Sequence, residues 1–271
     1  MQQLQHVLIT GASSGIGRAI AELLNEKGYA VTGTSRHPET IKNPIPGVRY
    51  LRLDLQDPES IDLLAATVPD TDILINNAGQ SQIGPLEEIP MEKIRSLFEV
   101  NYFGLVRLSK ALIPAMRQRR SGAIINISSM SGVFGVAYTS QYCSSKFALE
   151  GFSRSLRQEL APFGIPVVLI EPGYIATGLQ QEQLYSGTSE YFPRLSAFKT
   201  VRDRNIENGA DPKIIARKVL KVLKSKNPKA AYPVGGDAAL LAFFKRVLPA
   251  RIAEYFQRKK FKSLNIRLII H

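Results

Sequence analysis

Through the first 170 residues, short apolar runs alternate with longer segments of helical period. A sequence of this kind builds a parallel sheet covered by helices, an α/β fold. Strands are predicted over residues 6–10, 30–34, 49–53, 73–76, 123–128 and 167–170. Between the first two, Ala19, Ile20, Leu23 and Leu24 recur at helical spacing until Gly28 stops the helix. A helix-sized segment spans 60–68, and longer helices are expected over 91–119 and 140–163, the former bent near Pro114 because proline lacks an N–H and crowds the preceding turn. Beyond Glu171-Pro172-Gly173 the rhythm fails. Residues 174–210 have no clear period, yet they carry Leu179, Leu184, Tyr185, Tyr191, Phe192, Leu195 and Phe198. So apolar a segment, leaving the carboxyl end of a strand, reads as a lid over a substrate pocket, with an insertion packing its own small core as the alternative.

Composition changes this picture little, whereas charge does. With 44% hydrophobic and 21% charged residues the 271-residue chain resembles an ordinary soluble protein. No apolar run approaches the ~18 residues of a membrane-spanning helix, and the start lacks the pattern of a signal peptide, so a cytoplasmic location is expected. Cys143 is the single cysteine, which leaves no material for an internal disulfide or a Cys/His zinc site. Basic and acidic residues balance over 1–210, while 211–271 hold 15 Lys and Arg against 3 Asp and Glu. The net +12 therefore lies in the tail. Within the extension 236–271, Ala239, Leu240, Phe243, Phe244, Val247 and Leu248 fall near one helical face, with Lys245, Arg246 and Arg251 toward another. Packing over the pocket or on another subunit is favoured for it over peripheral contact with anionic lipid; nucleic-acid binding has no motif to support it.

Two constellations carry candidate chemistry. Thr10-Gly11-Ala12-Ser13-Ser14-Gly15-Ile16-Gly17 sits between the first strand and the first helix. Its glycines permit a tight turn and let backbone N–H groups and a helix N-terminus approach a pyrophosphate. About twenty residues on, where a carboxylate would hold the ribose hydroxyls of NAD, the chain reads Thr34-Ser35-Arg36. A guanidinium there suits a ribose 2′-phosphate, hence NADP(H) as cofactor. Asp54, after the third strand, is placed either to meet the adenine or to cap a turn. The second constellation is Tyr142-Cys143-Ser144-Ser145-Lys146, with Ser129 thirteen residues before the tyrosine. Residues four apart share a helix face. A nearby ammonium is expected to draw the phenol pKa down from about 10 and make it a usable acid or base.

Over roughly residues 5 to 175 the chain resembles the short-chain dehydrogenase/reductase family. The correspondence runs in order through the glycine motif at 10–17, Asn76-Asn77-Ala78-Gly79, Asn101 in Val-Asn-Tyr-Phe-Gly, Ser129, Tyr142, Lys146, and Pro172-Gly173 with Ile175 and Thr177. The resemblance implies a Rossmann-type doubly wound parallel sheet of about seven strands, and a single oxidoreductase domain over 1–271. It further implies that Ser129 bonds the substrate oxygen, Tyr142 donates or removes its proton, Lys146 binds the nicotinamide ribose and tunes Tyr142, and hydride passes to or from the nicotinamide. Asn101 is implied to hold a water in a proton relay through its backbone. Cofactor contacts are implied for Gly11, Ser13, Ser14, Gly15, Ile16 and Gly17, for Ser35, Arg36, Asp54 and Leu55, for Asn77, Ala78 and Gly79, and for Pro172, Gly173, Ile175 and Thr177. Ser128 and Cys143 are expected to take no part. The apolar lid suits a lipid-like carbonyl or alcohol such as a steroid, retinoid or long-chain carbonyl, as in hydroxysteroid or retinol dehydrogenase-like members. The long helices at 91–119 and 140–163 imply a homodimer or homotetramer. A non-catalytic NADP(H)-binding sensor or membrane-associated scaffold is the competing class, which the intact Ser129, Tyr142 and Lys146 disfavour.

Overall fold

The computed structural model describes residues 4–178, 181–236 and 238. Leu179 of the expected lid and nearly all of the basic extension lie outside the described residues. The chain runs β1 (His6–Ile9), α1 (Gly15–Glu26), β2 (Ala30–Ser35), β3 (Arg49–Arg52), α2 (Pro58–Thr67), β4 (Ile73–Asn76) and a short β5 (Gln82–Ile83). It continues through α3 (Met91–Phe98), α4 (Gly104–Arg119), β6 (Ala123–Ile127), α5 (Ser140–Leu160), β7 (Val167–Pro172) and a short β8 (Glu182–Gln183). α6 (Phe192–Glu207), α7 (Lys213–Leu223) and β9 (Ala231–Val234) complete it. Seven strands form one sheet in the order β3-β2-β1-β4-β6-β7-β9, and every pairing is parallel. This is the Rossmann-type doubly wound arrangement that the alternation of apolar runs and helices anticipates.

Strand alternation sorts the core into two layers. Val7 and Ile9 of β1, Ile73 and Ile75 of β4, and Ile125 and Ile127 of β6 meet α1 and α7 on one face. Leu8, Leu74 and Ile124, the intervening residues, meet α2, α4 and α5 on the other. Both faces are covered, so the strands read as continuous apolar runs. Each fully buried Leu or Ile contributes roughly 1.5–3 kcal/mol from apolar burial.

Two expectations need correction. The segment 91–119 is no single helix bent at Pro114: α4 runs through Pro114, and the regular ladder is instead interrupted at a π-helical turn, Glu99–Phe103. The cause is tertiary. Gly104 packs so tightly that a Cβ there would stand 2.3 Å from the Leu55 carbonyl oxygen, and the Asn101 side chain is bonded to the Gln80 backbone. Residues 174–210, read as irregular, contain β8 and α6. α6 escapes a periodicity reading because only Leu195 of its 16 residues is buried, leaving no apolar stripe to recur.

A polar ladder crosses the second layer. Asn76 Nδ2 donates to Asn126 Oδ1 at 2.8 Å and to Ser109 Oγ at 3.1 Å, and Asn126 Nδ2 donates to Ser153 Oγ at 2.8 Å. All four residues are buried, so these bonds tie β4 and β6 to α4 and α5 where water cannot substitute. Asn126→Ala leaves donor and acceptor groups unpaired and is expected to cost about 1–3 kcal/mol. Urea unfolding measures it; a loss under ~0.5 kcal/mol would show that the ladder adds little.

Candidate active site

The chain leaves β1, winds outward through β2 and β3, then returns to β4 on the opposite side of β1. That reversal opens a crevice at the carboxyl ends of β1 and β4, the position at which doubly wound sheets bind ligands. Two turns wall it, and they are bonded to each other. Thr10 Oγ1 accepts from the backbone N–H groups of Asn77 and Ala78, both at 2.9 Å. Asn77 Nδ2 in return donates to the carbonyls of Thr10 and Gly11 at 2.9 and 3.0 Å. The glycines are sterically required here. Gly11 (φ +66°) and Gly15 (φ +54°) adopt left-handed backbone, and a Cβ on Gly17 would lie 2.2 Å from the Gly11 carbonyl oxygen. Ser14 caps α1 without a side-chain bond, and the first turn holds no acid, so the amino end of the helix faces the crevice.

The resulting cleft has a volume of about 500 Å³. Of the sequence-predicted residues, Gly11, Ser13, Ser14, Gly15 and Ile16 line one side, with Ser35, Arg36, Asp54 and Leu55 at one end. Asn77, Ala78, Gly79, Tyr142, Lys146 and Thr177 line the remainder. Gly17 lies behind the loop, where its role is close packing. Arg36 is exposed at the rim. Asp54 caps a turn, its Oδ1 accepting from Gln56 N–H at 2.9 Å, while still facing the cleft. The cleft is also lined by Gln56 and Gln80, which belong to no motif of the sequence, and by Val100, which the Val-Asn-Tyr-Phe-Gly motif contains but for which the resemblance implies no cofactor contact.

Ser129, Pro172, Gly173 and Ile175 line a second cavity of about 210 Å³ that adjoins the cleft and shares Ile16, Ser128, Tyr142 and Thr177 with it. Tyr142 thus stands where the two meet. Ser128, expected to be a bystander, faces both, with its buried hydroxyl unpartnered. Beyond Tyr174, residues Ile175, Thr177, Gln181, Arg202 and Ile206 complete the lining of the second cavity. The segment that carries them is anchored by Glu182, whose carboxylate accepts from Lys93 Nζ at 2.6 Å, by Gln181 Nε2 donating to Ser81 Oγ at 2.8 Å, and by Ser189 bonded to Glu88. Tyr138 meets Tyr191 and Phe198 edge-on at 6.2 and 5.8 Å.

Ser129 lies two residues past β6 and Tyr142 in the first turn of α5, so loop and helix bring together residues that are thirteen apart in sequence. The Ser129 hydroxyl accepts from Ser131 N–H at 3.1 Å and is hydrogen-bonded to the Tyr142 phenol. Lys146, one turn further along α5, is 5% exposed. Its Nζ donates to the Ile127 carbonyl at 3.1 Å and lies 6.0 Å from the Tyr142 ring centre. Burial pushes this ammonium down to about 8, against the opposing pull of Glu150. The phenol moves the other way from the expectation. Burial raises Tyr142, because losing water costs the phenolate more than the Ser129 hydrogen bond and the Arg202 charge return.

Asn101 lies in the π-helical turn, fully buried, behind Gly79 and Lys146. Its side-chain oxygen accepts from Gln80 N–H at 2.8 Å, and its amide donates to the Gln80 carbonyl at 3.0 Å and to Ser145 Oγ at 3.1 Å. Ser145 in turn donates to the Tyr142 carbonyl at 2.7 Å. The turn after β4 is therefore fastened to the helix that carries Tyr142 and Lys146. Cys143 is buried beside Val136 and Thr139, away from both cavities.

Fold and cleft together define an α/β protein built to hold a ligand across the β1/β4 reversal. The family described as short chain dehydrogenase matches residues 5–185, and the chain belongs to this family of NAD(P)-dependent oxidoreductases. It is similar to the 3-ketodihydrosphingosine reductase of Bacteroides thetaiotaomicron, 36% identical over 265 residues that cover 94% of this chain and 97% of the relative. A short-chain dehydrogenase from Streptomyces avermitilis superposes with a TM-score of 0.82 at 36% identity, covering 97% and 98% of the two chains. A Burkholderia cenocepacia short chain dehydrogenase in complex with NADP gives 0.75 at 25% identity over the full length of both.

The Lys146 shift has a stability consequence. Its pKa in the folded chain is near 8, below the ordinary 10.5. Below pH 8 the ammonium is charged in both states and the folded state carries the burial cost; between 8 and 10.5 the unfolded chain binds more protons, so stability rises with pH. Relative to Lys146→Met, the wild type should gain up to roughly 3 kcal/mol across that window. Urea titrations of both proteins at a series of pH values test it, and parallel curves would refute the buried-ammonium account.

Proposed function

We propose that the chain is an NADP(H)-dependent enzyme interconverting a carbonyl compound and its alcohol. The observation that carries this reading is the placement of Tyr142, Ser129 and Lys146 where the cleft meets the second cavity. The cleft suits a dinucleotide: left-handed glycines bring backbone close, and the residues at the α1 amino end line it. When bound, the nicotinamide supplies or accepts the hydride. Ser129 holds the substrate oxygen by hydrogen bonding, and Tyr142, a phenol whose protonated form burial favours further, gives that oxygen its proton in the reductive direction. Lys146, with its Nζ on the cleft wall, is placed to bind the ribose and to steady the phenolate left behind.

Preference for NADP(H) rests on Arg36 and Ser35 at the end of β2, where no acid competes for the ribose, and on Arg18 and Lys42 in the hollow beside them. The likeness to a reductase of 3-ketodihydrosphingosine supports reduction of an apolar, lipid-like carbonyl. Residues 174–210 then serve as the lid, consistent with the aromatic contacts between Tyr138, Tyr191 and Phe198. Phe103 and Phe147, exposed on the α4 and α5 side of the molecule, support pairing of these helices in a dimer or tetramer.

Tyr142→Phe should leave NADPH binding nearly intact and lower turnover by ~100-fold or more, the usual loss of a positioned acid. Turnover is followed by nicotinamide absorbance over a carbonyl panel, and a near-normal rate would remove Tyr142 from the reaction. A second prediction concerns the cofactor. NADP(H) should bind more tightly than NAD(H), and Arg36→Asp should narrow or reverse the ratio by about one to two decades, the worth of a charge-assisted bond of roughly 1.5–3 kcal/mol. Titration with both cofactors decides it, and an unchanged ratio in the variant would place the selectivity elsewhere.

A further inference from the structure

The cavity beyond Tyr142 carries a charge that acts on the phenol from a distance but has no partner of its own assigned by the carbonyl chemistry. Among the described residues that line it, Arg202 is the single cation and there is no acid. Arg202 belongs to α6, the helix in the wall over the cavity. Its Nε is buried without a hydrogen-bond partner, and two acceptor atoms on the same lining, Gln181 Oε1 and Ser128 Oγ, are buried and unpartnered as well. Folded proteins pair almost every buried polar group, and a guanidinium cannot escape the cost by losing its proton. Arg202 thus lines the cavity with a guanidinium whose Nε has no partner within the protein, and it offers its charge to an acceptor placed there. The rest of the lining includes the apolar Met130, Phe134 and Val136, and Ile206 one turn along α6 from Arg202. Ser129 and Tyr142 border the same 210 Å³ space, so a molecule whose carbonyl reaches the phenol brings its neighbouring substituents to Arg202.

We propose that Arg202 is a specificity-determining residue that reads a carboxylate on the substrate, which makes the substrate an apolar oxo acid or the corresponding hydroxy acid. A carboxylate answers a guanidinium with charge-assisted, potentially bidentate bonds, which a neutral ketone lacks. An ammonium beside the carbonyl would face a like charge in a site partly removed from water, and is disfavoured. The inference rests on the reading of this cavity as the carbonyl site, and its test separates the two.

The test uses the full chain with NADPH and three carbonyl compounds of equal chain length: γ-oxodecanoate, its methyl ester, and the ketone without the carboxyl group, with an amino ketone as a fourth arm. The oxo acid should show a kcat/KM at least tenfold above the ketone and the amino ketone the lowest. Because Arg202 also acts on the Tyr142 phenol, the readout is the ratio between substrates. Arg202→Met should lower kcat/KM for the oxo acid at least tenfold more than for the plain ketone, the excess chiefly through KM, and leave NADPH affinity unchanged; Arg202→Lys should recover part of the excess. Calorimetric titration of the NADP-loaded protein with decanoate provides a readout independent of turnover. Decanoate binding that Arg202→Met weakens tenfold, with no carbonyl reduced, would support carboxylate recognition while sinking the reductase reading. Reduction of the plain ketone as fast as the oxo acid, together with decanoate binding that is absent or indifferent to the substitution, would overturn the role of Arg202 and leave the reductase reading standing.

Discussion

The site depends first on the clamp between the turns after β1 and β4. Thr10 and Asn77 exchange side-chain and backbone hydrogen bonds in both directions, so neither turn moves without the other. The clamp works only because Gly17 carries no side chain: a Cβ would displace the Gly11 carbonyl and the Asn77 amide together. Tight packing of helix against loop thus holds the amino end of α1 at the crevice mouth, where its partial charge and free N–H groups act on an anion. Hydrogen bonds to side chains, where water would otherwise compete, turn a generic strand-reversal crevice into a shaped one.

A second constraint is the exclusion of water around Lys146 and Tyr142. The same burial moves both groups toward their neutral forms, the lysine down and the tyrosine up. The site tolerates the cost because neighbouring groups oppose it: Glu150 on the lysine, Ser129 and Arg202 on the phenol. The geometry is held from behind by Asn101. Its π-helical turn turns a buried amide toward Gln80 and Ser145, linking the floor of the cleft to α5. A π turn carries a poorer backbone ladder than an α-helix, and such turns recur at functional sites; here side-chain bonds supply what the ladder gives up.

Much of this was readable from the chain alone. The alternation of apolar runs with helical periods dictates a parallel sheet, because strands covered on both faces need no polar alternation. The Gly-rich turn between β1 and α1, the basic residue after β2, and the four-residue spacing of Tyr142 and Lys146 are local patterns, each reflecting backbone freedom, charge or helix geometry. The ordered series of short motifs pointed to the family to which the chain belongs.

What required the tertiary structure is everything set by contacts between distant segments. Pro114 looked like the place for a bend, but the close approach of Gly104 to Leu55 put the irregular turn at Glu99–Phe103 instead. α6 lacks an apolar stripe because it covers a cavity rather than packing into a core, so no periodicity announces it. The direction of the Tyr142 shift depends on how much water the surrounding elements remove, which helix spacing does not encode. Arg202, sixty residues from Tyr142 and within no motif, joins the cavity lining only when α6 folds back over the sheet. Sequence by itself determined the sheet and the glycine turn, since these follow from local backbone and periodicity, and it marked Ser129, Tyr142 and Lys146 as candidates through the ordered motifs of the family resemblance. Burial, the partners of each polar atom and the walls of the second cavity were decided by tertiary packing, because desolvation and long-range hydrogen bonds exist only once those segments meet.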